Sequence, residues 1–358
     1  DETMKITHIE IHADFHDETM PIDAPSGSAL LKVGTDTGIV GYSFTRADPQ
    51  PIIEQARQAL IGKDPHALEE HLQNGLLQWA TIEHALWDII GKEAGLPVHK
   101  LLGGFQQRLP VYLTCVWPGG DDQSQVAPQQ VAEQAVAYME KGFKAMKIRA
   151  WRPDPMEDVA AVRAVKEAVG DGMEIMVDRT AHGPGWIWDF GTAYKVARAL
   201  EEAGATWLEE PFLRGEVHES ARLNEVVDIP ITGGEGDCKL EIFRQYLVHD
   251  SFEIVQPDAI LAGGILNIKK IATLAEAFGK RCVLHGSNGF GLAPCLQISA
   301  ALPNCNLLEI CVVTPPLTPQ EQWDKANQLI KDPPLYTIRD GYIDIPQTPG
   351  LGYELLGE

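Results

Sequence analysis

KAMKIRA (144–150), DPMEDVAAVRAVKEAVG (154–170), EIMVDRT (174–180), GTAYKVARALEEAG (191–204) and TWLEEP (206–211) follow one another with only a few residues between them. The first, third and fifth are short runs of strand character, while the second and fourth repeat apolar residues every three or four positions. Strand, helix, strand, helix, strand is the pattern of parallel strands joined by crossover helices. Outward from this passage, VYLTCVW (111–117) precedes it, and IPITGGE (229–235), EIVQPDA (253–259), CVLHGS (282–287) and NLLEICV (306–312) follow it, with helical stretches between. Eight strands with intervening helices define a parallel β/α barrel over residues 109–320.

The barrel runs end in polar or charged residues: Lys147 and Arg149, Asp178, Glu209, Glu235, Asp258, His285 and Glu309. The carboxyl ends of barrel strands share one face, so these side chains are expected to converge on one pocket. Residues 1–108 have a different pattern. MKITHIEIHADF (4–15) alternates apolar and polar, SALLKVGTDTGIVGYSF (28–44) reads as two strands about a turn at Asp36–Gly38, and three helical segments follow. This is an α+β unit. Its third helix, within WATIEHALWDIIGKEAG (79–95), stops at Gly95 with Pro97 beyond, and its charged face is expected to be solvated. The tail, 321–358, has strand and turn character in PPLYTIRDGYIDIPQTPGLG and is expected to return to the N-terminal unit.

The 358 residues carry 29 Lys and Arg against 51 Asp and Glu, a net charge of −22. Such a surface disfavours nucleic-acid and anionic-membrane partners, whose phosphates require basic patches. No apolar run approaches the roughly 18 to 20 residues that span a bilayer, and the acidic start is unlike a secretory signal. A soluble, cytoplasmic protein is expected. Six cysteines without a close CxxC pair are expected to be reduced core residues rather than zinc ligands.

Asp178, Glu209 and Glu235 end three successive strands. Three adjacent carboxylates cannot all stay ionised in a buried pocket unless protons or a cation neutralise them. Oxygen ligands without Cys or His favour Mg²⁺; the competing reading is a helix cap or pairing with Lys147 or Arg179. Strand alternation points only one of Glu209 and Glu210 inward. Asp258 and His285 end consecutive strands, and a carboxylate on one imidazole nitrogen raises the basicity of the other, as a general base requires. Taken alone, His285 would read as structural. Lys147 and Arg149, two apart, share a face and supply positive charge for an anionic substrate group. Glu309 lies alone in an apolar run, and is either protonated or paired with Lys147.

These residues resemble the enolase superfamily, and within it the mandelate racemase subgroup. The resemblance rests on ALWDIIGKEAGLPVHKLLGG, KAMKIR, MVD, WLEEP, TGGE, QPDA, LHGSNG and LLEI in that order over almost the whole chain. It implies an α/β fold, a modified TIM barrel (β/α)7β with an α+β capping domain formed by the N-terminal region and the tail. It also implies one Mg²⁺ per subunit on Asp178, Glu209 and Glu235, and removal of the proton α to a small-molecule carboxylate to give an enediolate. Asp258 and His285 correspond to the family's base dyad, Glu309 to the acid that hydrogen-bonds the substrate carboxylate, and Lys147 to the first lysine of Lys-x-Lys. Homo-oligomers are common in the family.

Two departures decide the expected reaction. Arg149 stands where the family's racemases have a second lysine, and a neutral guanidine is rare near pH 7. Asp178-Arg179-Thr180 replaces the usual Asp-x-Asn and leads into AHGPGWIWDF, which makes Arg179, His182 and Trp186 candidates for substrate contact; Trp186 and Trp188 could equally be core. Racemisation needs proton carriers on both faces, whereas dehydration needs one. A single His can take the α proton and return it to a departing β-hydroxyl in a syn elimination, leaving an enol that becomes a 2-keto-3-deoxy acid. An acid-sugar dehydratase acting on a 2R aldonic or aldaric acid is therefore expected, Arg149 and Arg179 being compatible with a diacid. QPDA in the sixth run, rather than a lysine, argues against the lysine-pair subgroup. Epimerisation or lactone cycloisomerisation is the second reading, and a metal-binding regulatory protein without turnover the third. His16, Asp17, Met20 and Arg46, in the cap segments where the family sets specificity, are candidate contacts.

Overall fold

The computed structural model describes residues 3–12, 28–46, 50–116, 126–181, 187–287, 289–313, 318–331 and 335–356. Strands β1 (Ile6–His12), β2 (Ser28–Thr35) and β3 (Val40–Arg46) form an antiparallel sheet, followed by helices α1 (Gln50–Leu60), α2 (Leu68–Gln73), α3 (Ala80–Ala94) and α4 (Val98–Leu101). The β2–β3 turn falls at Asp36–Gly38, with Gly38 at φ +85°. α3 ends at Gly95, whose φ of +64° closes the helix in the left-handed conformation that glycine adopts without steric cost.

The barrel follows as β4 (Arg108–Val116), α5 (Pro128–Glu140), β5 (Ala145–Arg149), α6 (Pro155–Val169), β6 (Glu174–Asp178), α7 (Phe190–Ala203), β7 (Leu208–Glu209) and α8 (Val217–Val226). It continues through β8 (Ile231–Gly233), α9 (Leu240–Val248), β9 (Ile254–Val255), α10 (Ile265–Ala277), β10 (Arg281–Cys282), α11 (Leu292–Ser299) and β11 (Leu308–Val313). Strands β4 to β10 pair in chain order, all parallel, and β11 pairs in parallel with β4. A parallel bridge between Ser287 and Ile310 joins the segment after β10 to β11 and closes the ring.

Period-two alternation builds the interior. Ile148, Ile175, Val177, Leu208, Val255, Leu284, Leu308 and Ile310 are buried in the main core. Tyr112, Ala145, Met176, Trp207, Ile254, Val283 and Leu307 form a separate buried cluster, an apolar floor inside the barrel, where Tyr112 and Trp207 meet edge to face at 5.4 Å. The floor makes the barrel a packed core, so chemistry is confined to the end above it.

The tail adds α12 (Pro319–Asn327) and a hairpin of β12 (Ile338–Arg339) and β13 (Tyr342–Asp344), and β13 pairs antiparallel with the start of β4. Farther on, Gly350 bridges to Pro97, and Leu351 N donates to Asp88 Oδ1 of α3 at 2.9 Å. One part of the tail is thus attached to the barrel and the next to the capping unit.

The expectation of a solvated charged face on α3 is corrected. Glu83, His84 and Asp88 are buried, at 0%, 2% and 0% exposure. Tyr42 N of β3 and Leu351 N of the tail both donate to Asp88, which also pairs with Lys92 at 3.0 Å. The helix is enclosed because its polar stripe faces backbone amides of other segments, not water.

Candidate active site

Two positions beyond each residue of the floor stands a polar one: Thr114, Lys147, Asp178, Glu209, Gln256, His285 and Glu309. A strand turns its side chain to the same face every second residue, so this layer lies directly above the floor, toward the carboxyl ends. The register aligns it: Arg149 pairs with Asp178, Asp178 with Glu209, and Glu209 with Thr232, while Asp258 bridges to His285.

Lys147 lies at the centre, 1% exposed. Its Nζ donates to Glu209 Oε1 and Oε2 at 2.8 and 2.9 Å, lies 2.8 Å from Glu309 Oε1, and is 3.8 Å from Asp178 Oδ2. Burial alone would favour loss of its proton, but these carboxylates outweigh that and raise its pKa well above the ordinary value. Gln256 Nε2 and Trp207 Nε1 also donate to Glu209 Oε2, at 2.9 and 3.3 Å.

Glu309 settles the alternative left open by the sequence. Besides Lys147, the Thr114 hydroxyl donates to its Oε1 and Gly286 N to its Oε2 at 2.8 Å. Burial opposes its charge, yet Lys147 and the His285 ring hold its pKa below the ordinary value, and the contact at 2.8 Å makes it a partner of Lys147. Gly286 permits the close approach, since a Cβ there would run into the Glu309 side chain.

The expectation that only one of Glu209 and Glu210 is turned into the site is also corrected. β7 ends at Glu209, and Glu210 takes φ +44°, which breaks the alternation. Glu210 is 4% exposed, binds Arg214 Nε at 3.0 Å, and feels the charges of Glu235 and Asp178. Arg214 Nη2 bonds Glu235 Oε1. Burial, reinforced by neighbouring carboxylates, pushes Glu209 and Glu210 up from the usual carboxylate range.

After β9, Asp258 Oδ2 accepts from His285 Nδ1 at 2.7 Å, and Asp258 Oδ1 accepts from Ile260 N and Leu261 N, both at 2.7 Å. The other ring nitrogen, Nε2, lies 3.4 Å from Glu235 Oε2, and the imidazole is 25% exposed. Burial opposes a charged ring, but the Asp258 hydrogen bond and the charges of Glu235, Glu309 and Asp258 prevail and raise its pKa to about 10. Positive charge bound at Glu235 would act against that protonation.

Arg149 donates from Nη2 to Thr180 Oγ1 at 3.0 Å, stacks on Trp151 at 3.9 Å, and lies 3.8 Å from Asp178; Thr180 Oγ1 in turn donates to Asp178 Oδ1 at 2.6 Å. Arg179 is 5% exposed, with Nη1 donating to Ala150 O at 2.7 Å and its guanidinium 4.9 Å from the Trp188 ring. It braces the ends of β5 and β6, and Trp188 is core. His16, Asp17, Met20, His182 and Trp186 fall outside the described residues, as does the side chain of Arg46.

Among the described residues no three His, Cys, Asp or Glu side chains are drawn together as a preformed metal site. Lys147 holds Glu209 and Arg214 holds Glu235 instead. The donor set nevertheless fits Mg²⁺. Asp178, Glu209, Glu210 and Glu235 offer hard oxygens alone, and with Asp258 and Glu309 these carboxylates outnumber Lys147, Arg149, Arg214 and His285 even when Arg179 is counted. Sequence reasoning missed Glu210, Arg214 and Gln256. The last had a signal, since it lies two residues before Asp258 on the same strand face.

Comparison with known proteins agrees with this architecture. Residues 23–103 match the N-terminal domain model of mandelate racemase / muconate lactonizing enzyme, and residues 130–358 match the enolase C-terminal domain-like model. The chain is 28% identical to arabinonate dehydratase of Saccharolobus solfataricus, covering 92% of this chain and 89% of that one. It is 31% identical to D-galactarolactone cycloisomerase of Agrobacterium fabrum, covering 98% and 97%. A mandelate racemase/muconate lactonizing enzyme structure from Sulfitobacter sp. superposes with a TM-score of 0.81 at 25% identity, over 99% of this chain and 93% of that one. The chain therefore belongs to the mandelate racemase / muconate lactonizing enzyme family of the enolase superfamily.

Proposed function

We propose that this chain is a Mg²⁺-dependent acid-sugar dehydratase in which His285 carries the proton. The observation that carries the reading is the His285–Asp258 pair at 2.7 Å, whose other ring nitrogen, Nε2, is turned toward the carboxylates, 3.4 Å from Glu235 Oε2. At the end of β5 stands Arg149, a guanidinium that supplies fixed charge beside Asp178.

Asp178, Glu209 and Glu235, with Glu210 beside them, would hold the ion, and when bound it supplies positive charge opposite the substrate carboxylate. Neutral His285 Nε2 removes the C2 proton of an aldonic or aldaric acid, and the electron pair passes into the carboxylate as an enediolate. The pair then returns to form the C2–C3 double bond, the C3–O bond breaks, and His285 gives its proton to the departing hydroxyl, releasing water. The enol left behind becomes the 2-keto-3-deoxy acid. Asp258 holds the imidazole tautomer throughout, while Lys147 and Glu309 fix the charge beneath the reacting carboxylate.

The similarity to an arabinonate dehydratase supports this reading. Lactone cycloisomerisation is the second reading, favoured by the relative from Agrobacterium. Incubating the protein with a panel of aldonic and aldaric acids and of their lactones, with Mg²⁺ or with EDTA, separates the two. A 2-keto-3-deoxy product formed with Mg²⁺ and lost with EDTA is expected; a ring-opened isomer of a lactone, with no acid dehydrated, would overturn the dehydratase.

A further inference from the structure

The loop that follows Asp258 is gripped from two sides. From the barrel, Asp258 Oδ1 accepts from Ile260 N and Leu261 N, while Ile260 and Leu261 side chains stand 45% and 44% exposed. From the capping unit, His84 Nε2 donates to Ala259 O at 3.0 Å. The neighbouring Glu83 accepts from Ile265 N at 2.9 Å and from Leu266 N at 2.8 Å, and Trp87 Nε1 anchors it at 2.7 Å.

Those two amides open α10, which directly follows the loop. Its N-cap is Gly264, with no side chain to offer, and its first turn has no acid of its own. A carboxylate some 180 residues away therefore satisfies the free N–H groups and the positive end of the helix. The fit is close, because Gly264 has φ +103° and a Cβ there would run into the Glu83 carboxylate. Glu83 and Ala259 are both buried, so the contact holds the loop in one arrangement.

We propose that Glu83 and His84 are positioning residues for the His285–Asp258 dyad: by docking capping helix α3 onto the loop after Asp258, they set the orientation of the imidazole. The assignment rests on His285 being the proton carrier. It makes the capping unit part of the proton-transfer apparatus through a contact that touches no substrate.

The test uses the full-length protein with Mg²⁺ and three variants, His84→Phe, His84→Gln and Glu83→Gln. Losing the donor while keeping a ring should lower kcat by about 10- to 100-fold with KM and Mg²⁺ affinity nearly unchanged, because small misplacements of a reacting group are costly. His84→Gln, which retains an N–H toward Ala259 O, should restore most of that loss. Amide hydrogen exchange over 258–266 should quicken in His84→Phe and Glu83→Gln, and the low-field proton signal of the His285–Asp258 hydrogen bond should shift or broaden. Unchanged exchange and an unchanged low-field signal in folded His84→Phe and Glu83→Gln would overturn the proposal. So would faster exchange with wild-type kcat. The exchange and the low-field signal are read without substrate, so a wild-type protein that dehydrates no acid sugar refutes the reaction and leaves the docking measurement intact.

Discussion

Lys147 touches Glu209 and Glu309 at equal distance while 1% exposed, so one cation serves two buried carboxylates. Removing it would leave both without their counter-ion. Lys147→Met is expected to cost about 3 to 5 kcal/mol, the usual penalty for breaking a buried ion pair, or to prevent folding. Urea unfolding measures this, and a loss below about 1 kcal/mol would contradict the described network. The residue types at the strand ends were legible in the sequence because the floor and the polar layer follow a strict period of two. Glu210 escaped that rule because a single residue at φ +44° redirects its side chain, and periodicity carries no information about one dihedral angle. Arg214 escaped as well, because it lies in the segment after β7, where no strand period fixes direction.

Helix α3 shows what a pattern of apolar residues leaves out. Its length and its stop at Gly95 were readable, but a buried polar stripe and a solvated one look identical on a helical wheel. Only the amides of the tail and of the loop after Asp258 distinguish them. His84 then has a consequence for stability. Burial lowers its pKa from 6.5 to about 4, against the opposing pull of the Ala259 carbonyl and Asp258. Between those values the unfolded chain binds a proton that the folded chain refuses, so the stability due to neutral His84 is full above pH 6.5 and is lost as the pH falls toward 4. The interval corresponds to roughly 3 kcal/mol. His84→Gln should flatten this acid limb, measured as Tm at pH 7 against pH 5; an acid limb as steep as that of the wild type would show that His84 does not titrate with folding. At the same scale, Gly264→Ala should destabilise by about 1 to 3 kcal/mol, since it combines a left-handed backbone with a collision at Glu83. A Tm within error of the wild type would contradict the close seating of α10 on α3.

Across the whole molecule, the charge of −22 includes at least six acids gathered at one barrel mouth. Self-repulsion on this scale is screened by salt. Raising the NaCl concentration from about 10 mM to about 150 mM should raise Tm by a few degrees, and a falling Tm would mean that surface ion pairs outweigh the repulsion. The order of strands and the position of the mouth followed from the sequence because each depends on local alternation repeated eight times. The docking of cap on barrel did not, because it depends on contacts between residues some 180 apart. The central claim is that His285 takes the C2 proton and returns it to the departing hydroxyl. The direct measurement is proton NMR of wild-type and His285→Asn protein with Mg²⁺ and a substrate from the acid-sugar panel in D₂O. The account predicts a 2-keto-3-deoxy product with wild type and at least a thousandfold slower formation with His285→Asn, on the order of what loss of an essential base costs. Equal product from both proteins, or inversion at C2 with no loss of water, would contradict it.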